Sequence, residues 1–182
     1  MRIIGIDPGL QATGWGVIAP EGAQLRNVDH GIIRTTTRMN DPERLALIFE
    51  GLRNVITNCK PEIAVIEEIF VKDNPRSALR LGLARGVAIL ACGQARLALS
   101  EISARKVKQA VTGTGAADKK QVANMVSRLL GIPPPPSDAA DALALAIACY
   151  QGAAAPKTEA AQMPDGLSAA IEAALQKERQ RT

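Results

Sequence analysis

The chain of 182 residues is long enough for one domain of about 150 residues and a short extension. Its composition, 47% hydrophobic and 22% charged, provides for a buried core, whereas one Trp, one Tyr and two Phe argue against an aromatic-walled pocket or a base-stacking platform. Three separated cysteines and a single histidine argue against a disulfide framework or a zinc site, and they fit a reducing cytoplasm. No apolar run is long enough to span a membrane, and Asp7 interrupts any signal-peptide core.

The net charge is +4, but the basic residues are concentrated in one segment. Between Lys72 and Arg128 there are eleven basic and three acidic residues, so this segment carries +8 and the rest of the chain −4. A basic block in an otherwise acidic chain indicates a polyanionic partner, although solvated helix faces explain the charge equally well.

The predicted elements begin with three closely spaced strands at residues 2–6, 13–19 and 24–35, which indicate an antiparallel meander. The apolar period then becomes helical, and we expect Asp41 to be the N-cap and Pro42 the first helical residue. Residues 62–66 are a β-branched run typical of a buried strand, and Glu67 and Glu68 follow it.

The second half of the chain alternates helices with one further strand. We predict a helix from Pro75 to about Leu97, a strand at 99–103, helices at 105–111 and 118–130, and a last helix capped by Ser137 and ending near Tyr150. These elements predict an α/β fold with a mixed five-stranded sheet flanked by helices, in one domain over residues 1–150. Residues 151–182 read as a flexible linker and tail that carries one short amphipathic helix.

Carboxylates stand at the ends of these elements. Asp7 ends the first strand before Pro-Gly, where turn formation alone would explain it. Because strand side chains alternate, only one of Glu67 and Glu68 can share a face with Val65, and the alternation leaves open which one matters.

Asp138 and Asp141 share a face in the first turn of the last helix, which is apolar almost all round and therefore buried. The ordinary explanation is stabilisation of the helix dipole. However, no Lys or Arg lies in that helix to neutralise the two acids, so a bound divalent metal is a candidate counter-ion.

If these acids converge at one edge of the sheet, their oxygens suit Mg²⁺ or Mn²⁺. Paired ions can hold both the attacking water and the leaving oxygen in phosphodiester hydrolysis. Together with the basic segment, the pattern favours a phosphodiester-cutting site over unrelated surface acids.

The ordered motifs resemble the RuvC family of crossover-junction endodeoxyribonucleases over residues 2–149. The motifs are Ile4-Gly5-Ile6-Asp7-Pro8-Gly9, Thr13-Gly14-Trp15-Gly16-Val17-Ile18, Ile66-Glu67-Glu68-Ile69-Phe70, Ser77-Ala78-Leu79-Arg80-Leu81-Gly82, Ala84-Arg85-Gly86-Val87-Ala88, Ala104-Arg105-Lys106-Val107-Lys108 and Asp138-Ala139-Ala140-Asp141-Ala142-Leu143-Ala144.

The resemblance implies a ribonuclease H-like fold and a homodimer that binds four-way (Holliday) junctions and nicks two strands of like polarity. It also implies dependence on Mg²⁺, replaceable by Mn²⁺, with two ions at each site. The metal-binding catalytic carboxylates that it implies are Asp7, Glu67, Asp138 and Asp141, so it selects Glu67 over Glu68. Family members are expected to act in recombination and repair with the RuvA–RuvB branch-migration complex.

By the same resemblance, Lys108 and Lys119 contact DNA near the scissile phosphate and Phe70 stacks on bases near the junction centre. Arg76, in the same basic segment, is also expected to contact DNA. The helix that begins at Pro75 offers a dimer seam across Leu79, Leu83, Gly86 and Leu90, although packing against the sheet would explain this face as well.

Two other functions fit part of the pattern. The first is a non-catalytic, junction-binding scaffold of the same fold, which would bind junctions with or without divalent ions. The second takes Asp7-Pro8-Gly9 as the phosphate turn of an actin-like ATPase or sugar kinase, but those proteins resemble two duplicated domains, and 182 residues are too few for that arrangement.

Overall fold

A computed structural model describes residues 1–68 and 75–154, except for the side chains of residues 75–77. Its strands are β1 (Ile3–Asp7), β2 (Ala12–Glu21), β3 (Gln24–Arg34), β4 (Ile63–Glu67) and β5 (Ala98–Ile102). Its helices are α1 (Asp41–Cys59), α2 (Pro75–Gln94), α3 (Ala104–Thr112), α4 (Lys119–Leu130) and α5 (Ser137–Tyr150). The linker and the short helix that we predict lie mostly outside the described residues.

The strands form one mixed sheet in the order β3-β2-β1-β4-β5. β1, β2 and β3 pair antiparallel, whereas β1, β4 and β5 run parallel, so the predicted meander and the predicted mixed five-stranded sheet are confirmed. Ile6 of β1 is opposite Ile66 of β4. The next residues, Asp7 and Glu67, therefore end neighbouring parallel strands at the same edge of the sheet.

Helices cover both faces of the sheet. Ile3 and Val65 point into a core shared with α3, α4 and α5, whereas Ile4 and Ile66 point into a second core with α1 and α2. The last helix is largely buried: Ala139 to Cys149 are all buried except Asp141, and Leu143 to Cys149 belong to the first core. The prediction that this helix is buried is confirmed. No helix in the described part of the chain is long and apolar enough to cross a membrane.

Three glycines let α5 pack directly on the sheet. A Cβ atom at Gly5 would lie 1.9 Å from the main-chain oxygen of Ala142, and one at Gly14 would lie 2.0 Å from that of Asp138. At Gly16 the added atom would lie 2.5 Å from the Leu143 side chain. Contacts this short are forbidden to any larger residue, so the main chain of α5 is set at contact distance from β1 and β2.

The structure corrects two predicted helix starts. Asn40, not Asp41, caps α1: its side chain accepts from the Glu43 amide, and the Glu43 carboxylate accepts from the Asn40 amide. Pro136 holds the N-cap position of α5, and Ser137, already helical, makes no capping hydrogen bond. Because Pro136 rather than Ser137 is the cap, the first helical turn begins one residue earlier than a serine cap would require.

The predicted end of α2 is also too late. The helix stops at Gln94, because Arg96 adopts a left-handed conformation with φ of 56° and the Leu97 amide turns back to the Cys92 carbonyl. Along the helix, Leu79, Leu83 and Leu90 are 67%, 39% and 53% exposed. The alternative prediction, that this face of the helix packs against the sheet, is therefore wrong.

Candidate active site

Three of the predicted carboxylates line one cavity of about 300 Å³ at the sheet edge: Asp7, Glu67 and Asp141. Asp7 and Glu67 lie on the same sides of their strands as Gly5 and Val65, and this alternation turns both toward α5. Asp141 comes from the first half of α5, which packs on those strands. The cavity is closed mainly by apolar residues of α3, α4 and α5, namely Ala104, Val107, Val122, Ala144 and Leu145.

Two lysines line the same cavity. Lys108 is half-buried on α3, and Lys119 begins α4. The Lys119 ammonium donates to Asp141 Oδ2 at 2.8 Å, and this hydrogen bond raises the pKa of the lysine. The lysine side chain is 74% exposed and that of Asp141 23% exposed, so the pair sits at the mouth of the cavity.

This ion pair corrects the inference drawn from the last helix alone. The sequence showed no Lys or Arg within the helix to pair with its acids, which made a divalent metal a candidate counter-ion. The structure supplies a lysine from α4, 22 residues away in sequence. Lys119 and Lys108 together do not offset the effects that raise the pKa values of Asp7 and Glu67, so these acids still favour a further cation.

Two of the acids in the cavity, Asp7 and Glu67, have raised pKa values. The pKa of Asp7 is raised from 3.8 to about 7, first by burial, then by the charges of Asp141 and Glu67, against a smaller opposing effect of Lys119. Burial and the Asp141 charge also raise the pKa of Glu67, and Lys119 and Lys108 oppose this rise. A cation placed among these oxygens would relieve both the burial cost and the repulsion.

Asp138 lies near the cavity without lining it. It is half-buried in the first turn of α5, its main-chain carbonyl packs over Gly14, and its charge adds weakly to the rise in the pKa of Asp7. Among the described residues, no three His, Cys, Asp or Glu side chains are already close enough together to hold a metal ion. The four acids thus share one electrostatic neighbourhood, and three of them share a cavity.

The donor set fits a hard divalent cation. Carboxylate oxygens are the ligands that Mg²⁺ and Mn²⁺ prefer, and a cation beside Asp7 would favour the ionised form of a carboxylate that burial and neighbouring acids disfavour. Asp7, Glu67 and Asp141 would hold such an ion, with Asp138 beside them.

Glu68 faces a different direction from Glu67. It is exposed, and it lines an adjoining cavity of about 490 Å³ together with Arg105, next to Asp7 and Glu67. Its amide donates to the Ile102 carbonyl at 2.9 Å, which extends the pairing of β4 with β5. Of the two consecutive glutamates, the structure brings only Glu67 into the cavity with Asp141.

Two predicted DNA contacts cannot be placed. Phe70 and the side chain of Arg76 lie outside the described residues. Conversely, the site residues predicted from the sequence did not include Arg85, which donates to the main-chain oxygen of Glu67 at 2.9 Å. The signal for it was a charged residue inside the motif Ala84-Arg85-Gly86, where the inner face of α2 is otherwise apolar.

Known proteins share this sequence and fold. The family model described as "Crossover junction endodeoxyribonuclease RuvC" matches residues 3–149. Proteins of that name from Yersinia enterocolitica and Yersinia pestis are each 51% identical over 146 residues, which is 80% of this chain and 84% of theirs.

Solved structures agree with the sequence relatives. "T. thermophilus RuvC in complex with Holliday junction substrate" is 34% identical with a TM-score of 0.79, covering 86% of this chain and 99% of that one. The yeast mitochondrial Holliday junction resolvase Ydc2, 14% identical with a TM-score of 0.61 over 83% of this chain and 78% of its own, shares the fold. The ribonuclease H-like architecture is thereby confirmed. On its sequence, its sheet topology and its relatives, the chain belongs to the RuvC family of crossover junction endodeoxyribonucleases.

Proposed function

We propose that this protein resolves four-way DNA junctions in recombination and repair by nicking two strands of like polarity symmetrically. The observation that carries the proposal is the single cavity in which acids from three separate elements meet two lysines. It is supported by the Thermus relative, whose structure was solved with a Holliday junction.

Membership of this family implies dependence on a divalent metal. We propose Mg²⁺ as the ion, with Mn²⁺ as a substitute and two ions at each site, held by Asp7, Glu67, Asp138 and Asp141. When bound, the ions would supply an activated water and stabilise the leaving oxygen. The residues of the chain hold the oxygens in place and surround them with apolar side chains that limit competing water.

The lysines have a second role in this proposal. Lys119 holds Asp141 when DNA is absent, and its exposed ammonium can turn to a phosphate oxygen when DNA enters. Lys108, which lines the same cavity from α3, would hold the same strand. We also assign Phe70 and Arg76 to DNA contact, on the family resemblance alone.

We propose a homodimer with α2 at the seam. Leu79, Leu83 and Leu90 are exposed on the outer face of the helix, and a Cβ at Gly82 or Gly86 would meet nothing within 4 Å. An apolar helix stripe with small residues suits close packing against a second copy. Two copies would present two cavities to the two strands of a junction.

The remaining expectations complete the proposal. Residues 1–150 form the nuclease domain, and residues 151–182 are a linker and tail. The protein acts in the cytoplasm and works with the RuvA–RuvB complex, as the family resemblance implies.

A synthetic four-way junction with one labelled strand at a time tests the function. With Mg²⁺ we expect paired nicks at symmetry-related positions, and no comparable cutting of linear duplex. Asp7→Asn should abolish cutting while junction binding stays measurable. A wild-type protein that binds junctions equally with or without divalent ions and never nicks them would instead be the scaffold, and stabilisation by ATP would favour the ATPase alternative.

A further inference from the structure

Arg85 lies at the point where β4 leaves the sheet. Its Nη1 donates to the main-chain oxygen of Glu67 at 2.9 Å, and its Nη2 lies 3.1 Å from Glu101 Oε1 on β5. The arginine side chain is only 14% exposed. A buried guanidinium is costly unless its donors are used, so these bonds are specific features of the fold.

The bonded carbonyl belongs to a candidate metal ligand. Glu67 is the last residue of β4, where its partner across the ladder is Ile102. Beyond it the described chain continues for one residue, Glu68, whose amide still bonds β5. Arg85 therefore holds the main-chain carbonyl of Glu67 from the α2 side of the sheet, while the Glu67 side chain projects from the α5 side.

The effect of Arg85 on Glu67 is geometric. The charges that shift the pKa of Glu67 come from Asp141, Lys119 and Lys108. Arg85 bonds the main chain instead, and Glu101 neutralises it. The Glu67 side chain leaves the main chain at Cα, so a held main chain fixes where that side chain starts and narrows the positions that its oxygens can take.

We propose that Arg85 is a positioning residue for the nuclease reaction, which holds Glu67 in the direction needed for the catalytic cation. The proposal rests on the proposed function, because it assumes that Glu67 binds the ion. Arg85 touches neither substrate nor ion and acts only through the Glu67 peptide.

Four variants of the full chain test this role. Arg85→Met removes both bonds, Arg85→Lys keeps a charge beside Glu101 without the fork that reaches both partners, and Glu101→Gln removes only the ion pair. Arg53→Ala is the control, since Arg53 pairs with Glu50 on the exposed surface of α1. Each is assayed well below its melting temperature for junction affinity, for single-turnover cleavage as a function of Mn²⁺, and for Mn²⁺ binding by electron paramagnetic resonance.

We expect Arg85→Met to slow cleavage by about 10–100-fold and to raise the Mn²⁺ concentration at half-maximal rate, with junction affinity within about twofold. High Mn²⁺ should restore part of the rate, Arg85→Lys should be intermediate, and Glu101→Gln should lose less than Arg85→Met. The Arg53 control should match the wild type.

Three results overturn the proposal: wild-type cleavage and Mn²⁺ binding in Arg85→Met, an equal loss in Glu101→Gln, or a loss accounted for by unfolding. Failure of the wild type to cut any junction would sink the proposed function instead. The Mn²⁺ binding measurement then still reports on Arg85 and Glu67.

Discussion

Asp7→Asn should make the metal-free protein more stable at pH 8. The folded structure raises the pKa of Asp7 from 3.8 to about 7, chiefly by burial and then by the charges of neighbouring acids. Each tenfold change in an acid constant is worth about 1.4 kcal/mol, so ionised Asp7 costs the fold at most about 4 kcal/mol. Asparagine has nearly the same shape and no charge, and we expect a gain of about 2–4 kcal/mol in the free energy of unfolding.

The gain depends on pH with a definite sign. The folded state binds the Asp7 proton more tightly than the unfolded state does. The stability that this protonation contributes is therefore full below pH 3.8 and is lost as the pH rises through about 7. The variant escapes this loss. Its advantage over the wild type should therefore be full at pH 8, less than half as large at pH 5 and absent below pH 4.

Urea unfolding in EDTA, followed by circular dichroism at pH 5 and pH 8, measures the difference. Glu21→Gln serves as control, because Glu21 forms a solvent-exposed pair with Arg26 and should change stability by less than about 1 kcal/mol at either pH. Adding Mg²⁺ should then stabilise the wild type more than Asp7→Asn. Equal or lower stability of Asp7→Asn at pH 8, or an equal gain at both pH values, would refute the reasoning.

Three other variants test separate features. Gly5→Ala places a Cβ 1.9 Å from a main-chain oxygen of α5 and should lower the stability by about 3 kcal/mol or more. Gly93→Ala is the control: its Cβ would meet no atom within 4 Å, so it should be neutral or stabilising in the same thermal melt. Lys119→Met removes a 74% exposed partner of Asp141 and should lower the free energy of unfolding by less than about 1 kcal/mol. Divalent ions should nevertheless raise the melting temperature of this variant more than that of the wild type, and an equal rise would contradict this expectation. Arg44→Met removes the hydrogen bonds that a buried guanidinium donates to the Leu10 carbonyl and the Thr35 hydroxyl, and it should lose about 1–3 kcal/mol in urea even though Thr35 still donates to that carbonyl. Wild-type stability would count against that account.

Much of the sheet edge could be predicted from the sequence because it depends on local rules. The β-branched runs indicate strands, and two parallel strands that end in Asp7 and Glu67 place their acids together once they are neighbours. The burial of α5 followed from its apolar composition. The cap of α1 was misplaced because adjacent Asn40 and Asp41 are both good caps, and the reciprocal hydrogen bonds with Glu43 select Asn40.

The polar contacts across the molecule could not be predicted in the same way. Lys119 reaches Asp141 only because α4 packs against α5, and Arg85 reaches Glu67 only because α2 lies under β4. Neither pair has a sequence spacing that a helix or strand period would reveal. The family resemblance, not the residue pattern, singled out Glu67 over Glu68, and the sheet alternation in the structure agrees with that choice.

Because α5 packs on Gly5, Gly14 and Gly16, the position of its two aspartates depends little on how the apolar side chains of the core are packed. At Gly5 and Gly14 the distance between helix and sheet is set by main-chain atoms on both sides, so we expect exchanges among apolar side chains elsewhere to leave the two aspartates of α5 at the same level. Apolar residues elsewhere in the core can therefore be exchanged, whereas these three positions must remain glycine to keep α5 at its present distance from the sheet.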